Sequence, residues 1–225
     1  MLLRILVGAL LGACCAPLYE FIVRRLLSAR NRTLNASDRE LWILRALLVL
    51  IGALTLALEG FTPKAAYALL LLITAACISV IDAHERIIPN ELVLAVMALS
   101  LLFGLPGLCG LDDFPVWHPL SSLVGMAVCF IIFMLPALGK KAVGAGDVKL
   151  AAAMGFALGL SHSLVCIVIM GLLILGYSFL QHRFAFPDFL KTRIPMGPFL
   201  ALALLASLLL DNIPATAALL EALPL

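Results

Sequence analysis

The chain has 225 residues, of which 64% belong to the hydrophobic set AVILMFWYC and only 12% are charged. A soluble domain of this length carries about twice that share of charged residues. This composition excludes a water-soluble globule and predicts an integral membrane protein. The net charge of +2 is too small to indicate a nucleic-acid partner.

The apolar runs are long and rich in Leu and Ala, and they do not alternate as the strands of a membrane β-barrel do. Helices are then the remaining way to pair every backbone polar group within a bilayer. We therefore predict an all-α, polytopic membrane protein with about eight transmembrane helices, forming one membrane domain over 1–225. The predicted helices, in chain order, are 3–22, 42–60, 65–82, 91–108, 120–138, 148–160, 163–181 and 197–213.

The stretch 148–181 is long enough for one helix or for a hairpin that turns at Ser161-His162-Ser163. Cytoplasmic loops of membrane proteins collect Lys and Arg. A hairpin, with the N-terminus outside, puts thirteen of the fifteen basic residues on the inner side and leaves only Arg4 and Lys64 outside. One straight helix would send Arg183, Lys191 and Arg193 to the outer side, so the charges favour the hairpin.

The N-terminal part, 1–45, is predicted to be a first helix followed by a basic cytoplasmic loop. Its arginines, from Arg24 to Arg45, are expected to lie in a solvated loop against anionic lipid headgroups. The six cysteines form no Cys-x-x-Cys pair. We therefore predict neither a metal site nor a cofactor.

Two aspartates stand at the ends of predicted spans. Asp82 closes the third span, and Asp147 opens the sixth within Gly144-Ala145-Gly146-Asp147-Val148-Lys149. The predicted topology brings both to the cytoplasmic boundary, 65 residues apart in the chain (147 − 82). Ionisable groups at membrane depth are costly and usually functional.

Two carboxyls that share a small site do not both ionise easily, so one keeps its proton while the other stays charged. The charged carboxylate can draw a proton from water while the neutral one donates to a carbonyl oxygen, which is general acid–base hydrolysis of an amide. Gly144 and Gly146 would allow close backbone approach. Asp147 is expected to be an N-cap and the base, and Asp82 the acid.

Other interpretations of the two aspartates remain open on pattern alone. Either could be a helix cap or a headgroup-level anchor, and together they could serve as the relay of a proton-coupled transporter subunit. A third alternative is a catalytically silent assembly factor. A proton relay would need ionisable groups through the thickness of the bilayer, but acids and bases are nearly absent from the middle of the predicted spans. The sequence therefore favours a peptidase, which would hydrolyse an amide with the two aspartates, over a transporter.

Three segments carry a resemblance to a known family. The Gly144–Asp147 segment resembles the Gly-x-Gly-Asp motif of the type IV prepilin peptidases, which are aspartic membrane proteases. Asp82 followed by Ile88-Pro89-Asn90 is similar to their first catalytic-aspartate block, and Ile194-Pro195-Met196-Gly197-Pro198-Phe199-Leu200 resembles their late Pro-x-Gly-Pro segment. The resemblance covers about 65–205, which is the predicted catalytic core.

The resemblance implies that Asp82 and Asp147 are the catalytic residues, supported by Gly144, Gly146 and Lys149. It implies an aspartic endopeptidase of the bacterial inner membrane that removes the leader of type IV prepilins, Flp-type prepilins or pseudopilins at the cytoplasmic face. Its partners would be that substrate, the bilayer and the pilus or secretion machinery. The remaining motif residues are expected to shape a loop near the substrate: Pro89, Asn90, Pro195, Gly197 and Pro198.

The chain departs from the longer members of that family in its first cytoplasmic loop. Many of those members carry two Cys-x-x-Cys pairs there and N-methylate the new N-terminus. The Arg24–Arg45 stretch contains no cysteine. It therefore predicts a short form of the peptidase, without the zinc loop and with no support for the methyltransferase activity.

Overall fold

A computed structural model describes residues 1–34, 36–111, 114–115, 117–138, 144–182 and 196–210. Every regular element in these ranges is a helix. There are seven: α1 Leu2–Ser28, α2 Asp38–Glu59, α3 Pro63–Glu85, α4 Asn90–Leu108, α5 Pro119–Leu138, α6 Ala145–His182 and α7 Gly197–Leu210.

Six of these helices, α1 to α6, are long and apolar enough to cross a membrane, and α7 is a shorter apolar helix. The helix α6 is interrupted at Gly159, whose φ of 71° and ψ of −179° are not helical. Counting its two arms separately gives eight helical segments in the described part of the chain. The all-α, multi-pass membrane architecture is thus confirmed, with a helix count close to the expected one.

The helices begin and end at recognisable local signals. Ser37 and Glu40 form a capping box at the start of α2, in which each side chain accepts a backbone N–H of the other residue. The side chain of Thr62 caps α3, and Pro63 occupies the first turn, where a missing N–H costs nothing. The helix α3 ends at Arg86, which adopts the left-handed conformation with φ 54° and ψ 39°.

The chain divides into two compact units, Met1–His118 and Pro119–Leu225. In the first unit, α1 and α2 pack antiparallel through glycines. A Cβ added to Gly8 would lie 2.3 Å from the carbonyl oxygen of Gly52, and one added to Gly12 would lie 2.3 Å from that of Leu48. Only glycine permits this approach of two helix backbones.

The helix α3 forms the core of the first unit, with Leu71, Ile78 and Ile81 at most 1% exposed. It packs antiparallel to α4, where Tyr67 shares a hydrogen bond of 3.3 Å with Ser100. Ion pairs described below join the end of α1 to the end of α3 and the start of α4. The basic loop after α1 and Arg86 therefore lie at one end of this unit, in agreement with the side they were predicted to share.

In the second unit, α5 packs antiparallel to the first arm of α6. A Cβ on Gly155 would lie 2.4 Å from the carbonyl oxygen of Gly125 and 2.8 Å from Sγ of Cys129. Ser163, in the second arm, is hydrogen-bonded to the same Cys129. Residues 155 and 163 would be about 12 Å apart in a straight helix, so both can reach one side chain only because the chain turns back at Gly159.

The hairpin predicted from the charges is therefore present, but its turn lies at Gly159 and not at Ser161-His162-Ser163. The left-handed φ explains the position, because glycine adopts it without the Cβ clash of other residues. The hydroxyl of Ser121 accepts the N–H of Leu160 at 3.1 Å and so caps the second arm. The basic residues used to predict the hairpin that lie outside the described residues are Lys140, Lys141, Arg183, Lys191 and Arg193.

The end of α1 also differs from the sequence expectation. Its apolar run stops near residue 22, but the helix continues to Ser28 and includes Arg24 and Arg25. Arginine has a good helix propensity and a long side chain that reaches polar surroundings, so the helix does not end where the charges begin. Likewise Arg45 lies inside α2 and forms an ion pair of 2.6 Å with Glu20.

Candidate active site

Asp82 lies in the last turn of α3, where the chain leaves the core of the first unit. The residue is only 6% exposed, and its neighbour Ile81 is 1% exposed. Its carbonyl oxygen accepts the N–H of Arg86 at 2.9 Å, which closes the helix. The carboxyl of Asp82 is therefore positioned by a buried helix end and not by a surface loop.

Pro89 and Asn90 follow Asp82 across a short connection. Pro89 is fully buried, and its carbonyl oxygen accepts the N–H groups of Leu92 and Val93 at 3.2 and 3.3 Å. It thus forms the N-cap of α4. Asn90, the first residue of α4, is exposed. Since Pro89 is buried, it can shape the connection, whereas Asn90 has the surface needed to contact a ligand.

Asp147 lies in the first turn of α6, at the start of the second unit's hairpin. Its Oδ2 accepts the backbone N–H of Gly144 at 3.1 Å. The expectation that Asp147 is the N-cap is wrong by three residues, because the helix begins at Ala145 and Asp147 is its third residue. The carboxylate reaches back to the residue before the helix, as the acidic partner of a capping box does.

The neighbours of Asp147 show which face of α6 is packed. Gly146 and Asp147 are half-buried, Val148 and Leu150 are 4% and 2% exposed, and Lys149 is exposed. Gly144 has a specific steric role, since a Cβ there would lie 3.1 Å from Oδ2 of Asp147. The Gly144 position therefore leaves room for the aspartate carboxylate itself.

The late Pro-Gly-Pro segment leads into α7. Gly197 is the buried first residue of that helix and Pro198 is half-buried, while Pro195 lies outside the described residues. The ring of Phe199 packs edge-on against Tyr177 of α6, with ring centroids 5.3 Å apart. Because the second arm of α6 returns from Gly159, this contact puts Gly197 and Pro198 at the end of the unit that carries Asp147.

The structure thus groups the predicted residues into two sets. Asp82, Pro89 and Asn90 share one end of the first unit, and Gly144, Gly146, Asp147 and Lys149 share one end of the second with Gly197 and Pro198. The pairing of Asp82 with Asp147 remains a prediction. Within the described residues there is no cluster of three His, Cys, Asp or Glu side chains that could hold a metal ion.

Sequence reasoning missed a set of charged contacts around Asp82. Glu85 is the last residue of α3, its side chain is only 15% exposed, and it pairs with Arg32. Arg30 pairs with Glu91 at 2.6 Å. The Arg24–Arg45 stretch is therefore not simply a solvated loop. One feature of the sequence could have indicated these ion pairs: Glu85 and Glu91 lie on either side of Pro89, at the membrane side where the arginines were also predicted to lie.

Comparison with known proteins gives a consistent result. Residues 69–179 match the model of a family described as the type IV leader peptidase family. A prepilin leader peptidase/N-methyltransferase of Pseudomonas aeruginosa is 34% identical over 146 residues, which cover 64% of this chain and 49% of the relative. One of Aeromonas hydrophila is 31% identical over 167 residues, covering 72% of this chain and 54% of the relative.

A third relative, a prepilin leader peptidase/N-methyltransferase of Pectobacterium carotovorum subsp. carotovorum, is 37% identical over 93 residues, or 41% of this chain and 33% of the relative. The chain spans about half the length of the first two relatives. No solved structure gives a significant match.

Proposed function

Because the chain belongs to the type IV leader peptidase family, we propose that it is a membrane-embedded aspartic endopeptidase that removes the leader of prepilins or pseudopilins. The observation that carries this proposal is the match over residues 69–179, which contains both Asp82 and Asp147. The names of the relatives include prepilin leader peptidase, which supports prepilins as the substrate class. The proposed site of action is the cytoplasmic face of a bacterial inner membrane.

We assign the two carboxyls opposite roles from their positions on their helices. Asp147 is in the first turn of α6, where the positive end of the helix dipole and the N–H of Gly144 stabilise a carboxylate. Asp82 is buried in the last turn of α3, where burial and the negative end of the dipole favour the neutral acid. Asp147 is then the base and Asp82 the acid.

The proposed reaction needs both carboxyls at one peptide bond. Asp147 takes a proton from water as the water oxygen adds to the carbonyl carbon, and Asp82 gives its proton to the carbonyl oxygen. The tetrahedral intermediate then collapses: Asp82 regains its proton as the carbonyl reforms, and Asp147 protonates the departing amine. Each carboxyl ends in its starting state, as general acid–base catalysis requires.

The test is co-expression of the full chain with a candidate prepilin, with leader removal followed by the shift in mass of the substrate. Asp82→Asn and Asp147→Asn keep the side-chain shape but cannot exchange a proton in this way, so each should abolish cleavage. Asp38→Asn is the matched control, because Asp38 is an exposed acid in the first turn of α2. It should cleave at the wild-type rate.

Cleavage at the wild-type rate by either the Asp82 or the Asp147 variant would contradict the two-aspartate mechanism. Failure of the wild-type chain to cleave any of a panel of prepilins and pseudopilins would contradict the proposed activity itself. In that case proton flux into reconstituted vesicles, measured with the same two variants, would identify the transporter alternative.

A further inference from the structure

Two arginine–glutamate ion pairs and one contact between a histidine and a glutamate lie at the end of the first unit that carries Asp82. Arg30 Nη2 lies 2.6 Å from Glu91 Oε2, Arg32 is in contact with Glu85, and Nε2 of His84 lies 3.9 Å from Oε2 of Glu40. In each pair one partner precedes or begins α2, and the other flanks the connection from α3 to α4. The α1–α2 connection is therefore tied to the segment that follows Asp82.

The two acids paired with arginine bracket that segment. Glu85 is the last residue of α3, three positions after Asp82, and Glu91 is the second residue of α4. Between them lie Arg86, in its left-handed conformation, and the buried Pro89. Arg32 thus contacts the beginning of this short connection, through Glu85, and Arg30 contacts its end, through Glu91.

The arginines are themselves held by a turn at the end of α1. The N–H groups of Arg30 and Arg32 both donate to the carbonyl oxygen of Leu27, at 2.9 and 3.0 Å, and Asn31 between them has a left-handed φ of 56°. Nη1 of Arg30 also donates to the carbonyl oxygen of Leu26 at 2.9 Å. Arg30 therefore joins the last turn of α1 to Glu91 through one guanidinium group.

We propose that Arg30 and Arg32 are positioning residues for the reaction, which hold the Asp82 end of α3 and the Pro89 connection in the reactive arrangement. This inference rests on the proposed function. Displacement of a catalytic group by about 1 Å can cost a large factor in rate. Each pair has one largely exposed partner, since the side chains of Arg32 and Glu91 are 48% and 58% exposed, while those of Glu85 and Arg30 are 15% and 28% exposed. Ion pairs that are open to solvent on one side add little to global stability. Their loss should therefore lower kcat while the protein stays folded.

A different role for these arginines is attraction of anionic lipid headgroups, which depends on positive charge at the surface and not on a particular partner. The two roles differ in one respect. A positioning ion pair tolerates exchange of its two charges, because the contact is kept, whereas a headgroup contact is lost when an arginine becomes a glutamate.

The test compares Arg32→Gln, Arg30→Gln and the exchanged pair Arg32→Glu with Glu85→Arg. Arg24→Gln is the matched control, since Arg24 is an exposed arginine in α1. Each of the two test substitutions should lower kcat about five- to tenfold with KM within about twofold, and the exchanged pair should recover to within about threefold of wild type. The control should leave both constants unchanged.

Hydrogen exchange in detergent micelles gives a second readout that does not depend on activity. The backbone amides of residues 82–88 and of Asn90 should exchange faster in Arg32→Gln than in wild type or in Arg24→Gln, because the helix end is less restrained. An unchanged kcat and unchanged exchange in Arg32→Gln would overturn the inference while leaving the peptidase intact. An exchanged pair as slow as the single variant, or an equal loss in Arg24→Gln, would assign these arginines to the headgroups.

Discussion

Gly144 and Asp147 are joined by a hydrogen bond of 3.1 Å in which the backbone N–H of the glycine donates to Oδ2 of the aspartate. A Cβ on Gly144 would lie at the same distance, 3.1 Å, from the same oxygen. The glycine therefore orients the carboxylate in two ways: it donates to the carboxylate, and it leaves the space that the carboxylate occupies.

The first prediction follows from that contact. Gly144→Ala should lower the rate of leader removal about tenfold, because the added methyl group displaces Oδ2 by a few tenths of an ångström and weakens the N–H donation. The rate is measured with purified chain and a prepilin substrate in detergent.

The matched control for Gly144 is Gly171→Ala in the second arm of α6, where an added Cβ would meet no atom within 4 Å. That substitution should leave the rate within about twofold of wild type, since alanine is the better helix former. Equal rates for the two variants would mean that the Gly144 contact has no part in the reaction.

The second prediction concerns the left-handed residue that ends α3. Arg86 has φ 54°, a conformation that glycine adopts freely and β-branched residues avoid. Arg86→Val should destabilise this helix end by about 1–2 kcal/mol and slow the reaction, because Asp82 lies one turn earlier.

Arg86→Gly should keep activity within about twofold of wild type, and its unfolding temperature in detergent should stay above that of Arg86→Val. Arg39→Val, in the first turn of α2, controls for loss of an exposed arginine. If Arg86→Val and Arg86→Gly behave alike, the backbone conformation at this position is not what the site requires.

The third prediction tests the opposite protonation states of the two aspartates. The pH profile of kcat/KM should be bell-shaped, since activity needs one carboxylate and one carboxylic acid in the free enzyme. The rate should fall at low pH as the base is protonated and at high pH as the acid loses its proton. The measurement is cleavage of one prepilin across the pH range in which the wild-type protein remains folded. A profile with a single ionisation contradicts the shared dyad.

The fourth prediction concerns the packing of α1 against α2. Gly52→Ala would put a Cβ 2.3 Å from the carbonyl oxygen of Gly8, so the two helices must separate. We expect a loss of about 1–3 kcal/mol of unfolding free energy, as for other overpacked sites. Gly176→Ala is the control, because an added Cβ there meets no atom within 4 Å. Thermal unfolding in detergent should separate the two variants clearly.

The sequence predicted most of the helices because each apolar run had to be buried in lipid or in protein. The predicted turn in α6 was misplaced. It was assigned to the polar residues Ser161, His162 and Ser163, whereas the backbone turns at Gly159. Hydropathy does not report which glycine adopts a left-handed φ. The position of the turn therefore follows from the structure, through the contacts that Ser121 and Cys129 make with the two arms of α6.

The candidate site was predicted less evenly. Asp82 and Asp147 could be predicted as site residues because acids are rare at the ends of apolar spans and because both lie within recognisable motifs. The local environments of the two aspartates could not be predicted. The hydrogen bond between Asp147 and Gly144, for example, depends on the residue at which α6 begins. The pairs Arg30–Glu91 and Arg32–Glu85 join residues 61 and 53 positions apart, and charge spacing along the chain does not indicate such partners.

The short first arm of α6 has a consequence for the lipid around it. From Ala145 to the turn at Gly159 the helix rises roughly 21 Å, against about 30 Å of hydrocarbon in an ordinary bilayer. Local thinning of the bilayer is one way in which such a hydrophobic mismatch is relieved. A depression of this kind over the start of α6 would admit bulk solvent to Asp147 without a dedicated channel, and a thicker host membrane would then slow turnover.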